Sequence, residues 1–191
     1  MPRDTSKDLR QELIEAGIEE INIYGANGFS VRRVASACHV STAAPYKHFK
    51  DKKEFIGAII DYVNTQWAAV QDEVLAGCSD DPRTQIVEVA VAYVKFLMEK
   101  PYYRQTLMLK NAEFDNLYHR KRGEINSRTE QIMRRVQEAY GLSDALWARK
   151  KLLVRSLLFG SVFMFDSGEF TYNETSLEDL RYLIDREFTI L

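Results

Sequence analysis

Residues 28–55 read GFSVRRVASACHVSTAAPYKHFKDKKEF, and this stretch decides the fold. Ser30 is a typical helix N-cap, and the apolar residues after it recur at the three- and four-residue spacing of one helix face. A break of about three residues follows near His39. A second short helix is then predicted from Thr42 to about Phe49. The apolar stripe of the first short helix consists of Val31, Val34, Ala35 and Cys38.

Pro45 restricts where the second short helix can begin. A proline is tolerated near the start of a helix, where at most one backbone hydrogen bond is lost. The helix must therefore start at Ser41 or Thr42. A longer helix over residues 7–24, followed by two short helices joined by a tight turn, predicts a helix-turn-helix unit.

The charge of the chain is unevenly distributed. Residues 30–53 carry six basic side chains and one acidic side chain, a charge of +5, although the whole chain has a net charge of −2. The rest of the chain therefore sums to −7. Taken alone, such a run also fits a solvated surface. Combined with the two-helix pattern, it indicates a surface that contacts phosphates. The basic residues are Arg32, Arg33, Lys47, Lys50, Lys52 and Lys53.

The second short helix has the composition that DNA recognition requires. Its leading end must be narrow to enter a major groove about 12 Å wide, and Thr42 and Ala43 meet this requirement. Nearby donors such as Tyr46 and Lys47 can hold the register on phosphates. Double-stranded DNA is therefore the predicted partner. The predicted contacts are Ser30, Arg32, Ser41, Thr42, Ala43, Tyr46, Lys47, His48 and Lys52.

The rest of the chain is also predicted to be helical, because glycine (9) and proline (4) are sparse among 191 residues. A long helix is expected over 52–76, and a nearly all-apolar helix over 83–98 is expected to be buried at the centre of its domain. Gly141 fits the position just past a helix end. The predicted fold is all-α, with a helix-turn-helix domain at 1–50 and a larger helical ligand-binding and dimerisation domain at 51–191.

Several classes of protein are not expected from this sequence. Nucleophile elbows, Walker loops and dinucleotide loops are missing, so we do not expect an enzyme or a cofactor. The histidines and the two cysteines lack metal-ligand spacing, and no disulfide framework is indicated. Residues 1–13 have no apolar core, and the apolar run at 152–165 is shorter than the roughly 20 residues of a membrane span. We therefore expect a cytoplasmic protein without a membrane segment.

The helix-turn-helix stretch resembles the signature of the tetracycline-repressor (TetR) family. The resemblance covers about residues 7–60, and one departure is His39, where the family usually has glycine in the turn. It implies an all-helical fold of about nine helices that dimerises through its last two helices. It also implies that Thr42, Ala43 and Lys47 face bases or nearby phosphates, and that Ser30, Tyr46 and Lys52 contact the DNA backbone. The residues that carry the resemblance are Gly28-Phe29-Ser30, Val34-Ala35, Val40-Ser41, Tyr46-Lys47-His48-Phe49 and Lys52-Lys53-Glu54-Phe55.

A repressor of this kind needs a cavity for an effector. Aromatic residues and methionines that cluster after residue 95 could line it, although each of them also fits a plain core position. An unidentified small-molecule effector is therefore a predicted partner. The candidate lining residues are Phe96, Tyr102, Tyr103, Met108, Phe114, Tyr118 and Phe163.

The last two helices carry more apolar surface than one chain of this size needs. They could pair with their counterparts across a two-fold axis in a homodimer, or pack only within the chain. The residues predicted for the dimer interface are Leu153, Leu157, Met164, Leu180, Ile184 and Phe188.

The sequence thus predicts a ligand-responsive transcription regulator. By resemblance it is a repressor that binds a palindromic operator as a dimer and is released by a small molecule. The alternative is a helical ligand-binding or adaptor protein whose DNA-binding part is vestigial.

Overall fold

The computed structural model of the protein describes residues 5–107 and 128–189. Helices and turns account for these residues, and no strand occurs among them, which confirms the all-α prediction. The helices are α1 (Thr5–Gly28), α2 (Val31–Ala37), a 3-10 helix (Pro45–Lys47), α3 (Lys52–Gly77), α4 (Pro82–Glu99), α5 (Pro101–Leu107), α6 (128–139 within the described residues), α7 (Asp144–Asp166) and α8 (Glu174–Thr189).

The described residues belong to two compact units. The first contains 5–66 and 100–107, and the second contains 67–99 and 128–189. The predicted boundary after residue 50 does not coincide with this division, because residues 51–66 belong to the first unit, where Ile59 and Phe55 of α3 lie against Gly17 of α1. A boundary placed from the helix-turn-helix motif alone misses this packing.

The core of the first unit forms where α1 meets α3. The rings of Phe49 and Phe55 are stacked with centroids 4.0 Å apart, and Phe29 packs edge-on against Phe55 at 5.4 Å. Gly17 allows the close approach, since a Cβ added there would lie 2.5 Å from Cδ1 of Ile59. These contacts connect α1, α3 and the residues that flank α2 and the following turn.

The second unit is organised around α4. This helix is buried along most of its length and packs against both α7 and α8, as its apolar sequence predicts. Two ion pairs fasten α8 to it: Arg83 donates to Asp185 at 2.8 and 2.5 Å, and Arg181 donates to Glu88 at 2.8 and 3.2 Å.

The apolar run 152–165 lies within α7. Among the residues that the structure describes, no helix combines the length and the hydrophobicity that a membrane span requires. Much of the run is solvent-exposed in the single chain, with Leu152 exposed to 69% and Phe163 to 70%.

The burial of α8 corrects half of the predicted dimer interface. Leu180, Ile184 and Phe188 are buried in the core of their own chain, so they have no surface left to offer a partner. Their spacing indicates the buried face of the helix, and it cannot distinguish packing within a chain from packing between chains. Of the other three predicted residues, Leu153 and Met164 are exposed and Leu157 is half-buried.

Candidate nucleic-acid interface

Helix α2 begins with the predicted cap. The Ser30 hydroxyl accepts a hydrogen bond from the backbone N–H of Arg33 at 3.4 Å. Val31, Val34 and Ala35 are buried beneath the helix, whereas Arg32 is exposed. The short helix therefore presents Arg32 to solvent, as a phosphate contact requires.

The turn after α2 closes through two backbone hydrogen bonds. The N–H of Val40 donates to the carbonyl of Ala35 at 3.0 Å, and the N–H of His39 donates to that of Ser36 at 3.1 Å. This is the Schellman arrangement, which places a left-handed residue just past the helix end. That residue is His39, with φ of +56°. The departure from glycine thus lies at a position where histidine tolerates the backbone better than most residues.

The second element of the motif differs from the predicted helix over 42–49. It consists of turns and a 3-10 helix at Pro45–Lys47. The N–H groups of Ala44, Lys47 and His48 all donate to carbonyls three residues earlier. The physical reason is Pro45, which lacks the N–H that an α-helical bond to Ser41 would need.

The turn and the 3-10 helix still present the predicted contact residues outward. Pro45 and Phe49 are buried and anchor the segment, while Tyr46 is 56% exposed. His48 is half-buried and its ring lies 6.3 Å from that of Phe49. The exposed residues that share the outward surface are Ser41, Thr42, Ala43, Tyr46 and Lys47.

The helix-turn-helix is held to α1 by a buried carboxylate, which the sequence analysis did not predict. Glu20 of α1 is 6% exposed and accepts hydrogen bonds from the Ser30 backbone N–H at 3.0 Å and from Nε of Arg33 at 2.8 Å. Arg33 also lies over the ring of Tyr24 at 4.1 Å, and its hydrogen bond to Glu20 raises its pKa. The partly exposed Arg33 side chain is thus already paired with an acidic group of its own chain, and the basic window has one unpaired cation fewer for phosphates than its sequence suggests.

The start of α3 is already capped by acidic side chains. The Asp51 carboxylate accepts from the N–H of Glu54 at 2.8 Å, and the Glu54 carboxylate accepts from the N–H of Lys50 at 2.9 Å. The bond to Asp51 is the N-cap half of a capping box, whereas Glu54 reaches one residue further back than the capping residue, to Lys50. A phosphate near this helix end would therefore depend on the half-buried Lys52 side chain more than on the helix N–H groups.

The predicted effector residues lie in several places. Phe96 is buried in the second unit, with its ring 5.4 Å from that of Trp67. Phe163 is exposed on α7, so it does not lie with Phe96 in the buried part of the second unit. Tyr102 and Tyr103 line a groove in the first unit. Three other predicted residues, Met108, Phe114 and Tyr118, lie outside the described residues.

Sequence comparisons match the part of the chain that carries this motif. The family model described as "Bacterial regulatory proteins, tetR family" matches residues 13–59. A curated protein of Escherichia coli K12, described as a "Probable acrEF/envCD operon repressor", is 28% identical over 111 residues. The match covers 58% of this chain and 47% of the relative, so the chain spans about half the length of the curated relatives it matches.

Solved structures resemble nearly the whole chain. A TetR family transcription regulator from Marinobacter aquaeolei VT8 has a TM-score of 0.76 at 18% identity, covering 97% of this chain and 96% of that one. The transcriptional regulator FadR from Bacillus subtilis, solved in complex with stearoyl-CoA, has a TM-score of 0.73 at 14% identity, covering 94% and 97%. At these identities the likeness establishes the fold.

Proposed function

We propose that this chain is a member of the TetR family of bacterial regulatory proteins, whose family model matches residues 13–59, and that it represses transcription by binding a palindromic DNA operator as a homodimer. The observation that carries the proposal is the outward surface at 41–47. It consists of small, hydroxyl and basic side chains held on buried Pro45 and Phe49. A narrow edge flanked by hydrogen-bond donors suits a major groove and its phosphates.

The two-fold partner would cover the outward face of α7 and α8. Leu152 and Phe163 are eleven residues apart on α7, which places them on one side of the helix. A single chain leaves this apolar face in water, and an apolar face of this kind is typical of a subunit contact. A two-fold dimer would present its two motifs to half-sites about 34–36 Å apart. The exposed residues of this face are Leu152, Leu153, Phe163, Met164, Tyr182 and Leu183.

Release by a small molecule is the regulatory part of the proposal. The printed names of the relatives support it by analogy, since one is described as a repressor and another was solved with stearoyl-CoA. An effector would lower operator affinity by binding the conformer that cannot bind DNA more tightly than the conformer that can. The size of the decrease is limited by the ratio of these two effector affinities. Because the operator lies on the chromosome, the proposed site of action is the cytoplasm.

The direct test is a titration of fluorescent DNA tiles from the region upstream of the gene, at several salt concentrations with non-specific competitor. We expect competitor-resistant binding to one palindromic tile, with an affinity that falls steeply as salt rises. Undetectable binding to every tile at low salt would contradict the proposal.

A charge-matched pair of variants identifies the contact surface. We expect Lys47→Ala to weaken operator binding at least about tenfold and to reduce the slope of log affinity against log salt by about two, about one for each subunit of the dimer. Arg134→Ala, on the exposed face of α6, removes the same charge far along the sequence and should change neither quantity. Equal effects of the two variants would mean that operator affinity depends on the total charge of the chain and not on the position of Lys47. Circular dichroism and sedimentation must show that both variants keep the wild-type fold and mass.

A further inference from the structure

A groove on the surface of the first unit is formed entirely by elements of that unit. Its volume is about 610 Å³, and α1, α3 and the start of α5 supply its walls. This size lies within the range of small-molecule sites, about 300–1,000 Å³. The groove includes two of the residues predicted to hold an effector, Tyr102 and Tyr103.

One wall of the groove is aromatic. The ring of Tyr103 lies 4.6 Å from that of Tyr102 at 82°, and 6.5 Å from that of Tyr62 at 86°. Tyr103 is buried, whereas the other two rings are partly exposed. Burial raises the pKa of Tyr103, so its hydroxyl stays neutral and adds no charge. Rings set nearly perpendicular to one another present faces in different directions, and aromatic faces attract cations.

Helix α1 adds acidic side chains to the lining. Glu15 and Glu19 are both exposed and are separated by one helical turn, so their carboxylates lie on the same side of the helix. Gln11 donates a hydrogen bond to Oε1 of Glu15 at 2.8 Å. Lys100 also lines the groove, and the charges of these three ionisable residues sum to −1. The lining therefore favours a ligand with a positive charge.

We propose that this groove binds an organic ammonium ion, with the cationic head between the tyrosine rings and the carboxylates of Glu15 and Glu19. Attraction by aromatic faces adds to attraction by carboxylates, and both are lost when the nitrogen is replaced by carbon. The apolar part of the ligand would lie along Ile18 and Ile23, which also line the groove. A role for this ion as the effector rests on the proposed function, whereas its binding does not.

The test uses benzyltrimethylammonium and its uncharged carbon isostere, neopentylbenzene, titrated into the full chain without DNA and followed by ligand-observed NMR. We expect the cation to bind at least about tenfold more tightly than the isostere, a factor equal to about 1.4 kcal/mol. The double variant E15Q/E19Q should lose that difference, and Y102L should weaken cation binding. Glu12→Gln removes an exposed carboxylate of the same helix outside the groove and should change nothing.

Equal binding of the two ligands, or full retention of cation binding by E15Q/E19Q, would overturn the proposal. Failure to detect cation binding at millimolar concentration would overturn it as well. Operator titration of the same preparations separates the two ideas. A chain that binds DNA but no cation contradicts only the groove, and a chain that binds the cation but no DNA contradicts only the regulator.

Discussion

The helix-turn-helix and the α7–α8 pair place their apolar side chains in different ways. In α2 the few apolar residues lie at one spacing, and Val31, Val34 and Ala35 are all buried. Helices α7 and α8 carry apolar residues on more than one face, so some are buried and others, such as Leu152 and Tyr182, are exposed. An apolar pattern thus identifies the inner face only where the helix has a single apolar face.

The two units can also be compared at the C-terminal ends of α2 and α6. After α2 and after α6 the chain makes the same pair of Schellman hydrogen bonds, from Val40 and His39 in one case and from Leu142 and Gly141 in the other. The left-handed residue is His39 in the first and Gly141 in the second, with φ of +56° and +59°. The geometry is shared, so the two ends differ only in how much strain the side chain adds.

The largest effect should come from placing charge on the exposed face of α7. We expect the double variant L152E/F163E to convert the proposed dimer into a monomer at micromolar concentration, because carboxylates would be buried without partners. Sedimentation velocity measures this change. Ile23→Glu, at a side chain 66% exposed on α1, is the matched control and should leave the mass unchanged. A double variant that stays dimeric would remove this face from the interface.

The next largest effect should come from the buried side of α8. Ile184→Ala should lower the free energy of unfolding by about 2–5 kcal/mol, since it leaves a cavity in the core. The neighbouring Leu183→Ala, at a side chain exposed in the single chain, should change it by less than about 1 kcal/mol when both variants are made in the monomeric L152E/F163E background. Urea unfolding of both variants compares the two faces directly. Similar losses would mean that the faces of α8 are not distinct in solution.

The close approach of α1 and α3 allows a smaller test in the first unit. Gly17→Val should cost about 1–3 kcal/mol, because the added carbons would collide with Ile59 and approach Phe55. Gly77→Ala, where an added Cβ meets nothing within 4 Å, serves as the control. Thermal unfolding followed by circular dichroism measures both. An unchanged midpoint for Gly17→Val would show that α1 and α3 can separate without loss.

The smallest effect should come from the two Schellman ends, with opposite signs. His39→Gly should stabilise the chain by about 0.5–1 kcal/mol, as relief of left-handed strain of about 1–2 kcal/mol exceeds the entropic cost of glycine. Gly141→Ala should destabilise it by a similar amount, about 1 kcal/mol. Chemical unfolding at fixed protein concentration measures both changes. A loss of stability in His39→Gly would indicate that the imidazole makes a contact worth more than the strain.

Much of the motif could be predicted from sequence because its determinants are local. The Ser30 cap acts on an N–H three residues away, and the turn at His39 closes within six residues. The outward-facing residues of 41–47 could also be predicted, because they lie within a few residues of the buried Pro45 and Phe49. The predicted α-helix over 42–49 is wrong for a reason that is also local. The prediction treats Pro45 as tolerated near the start of an α-helix, whereas the segment forms turns and a 3-10 helix that begins at Pro45.

The sequence by itself determined the all-helical fold, the helix-turn-helix and its exposed polar edge, since caps, turns and apolar spacing act over a few residues. Only the tertiary structure decided that Glu20 engages Arg33, that Leu180, Ile184 and Phe188 face inward, and that Tyr62 joins Tyr102 and Tyr103 around one groove. The first of these contacts spans thirteen residues and the groove brings together three helices. Such contacts depend on which faces of distant helices meet, and helical periodicity carries no information about the partner of a face.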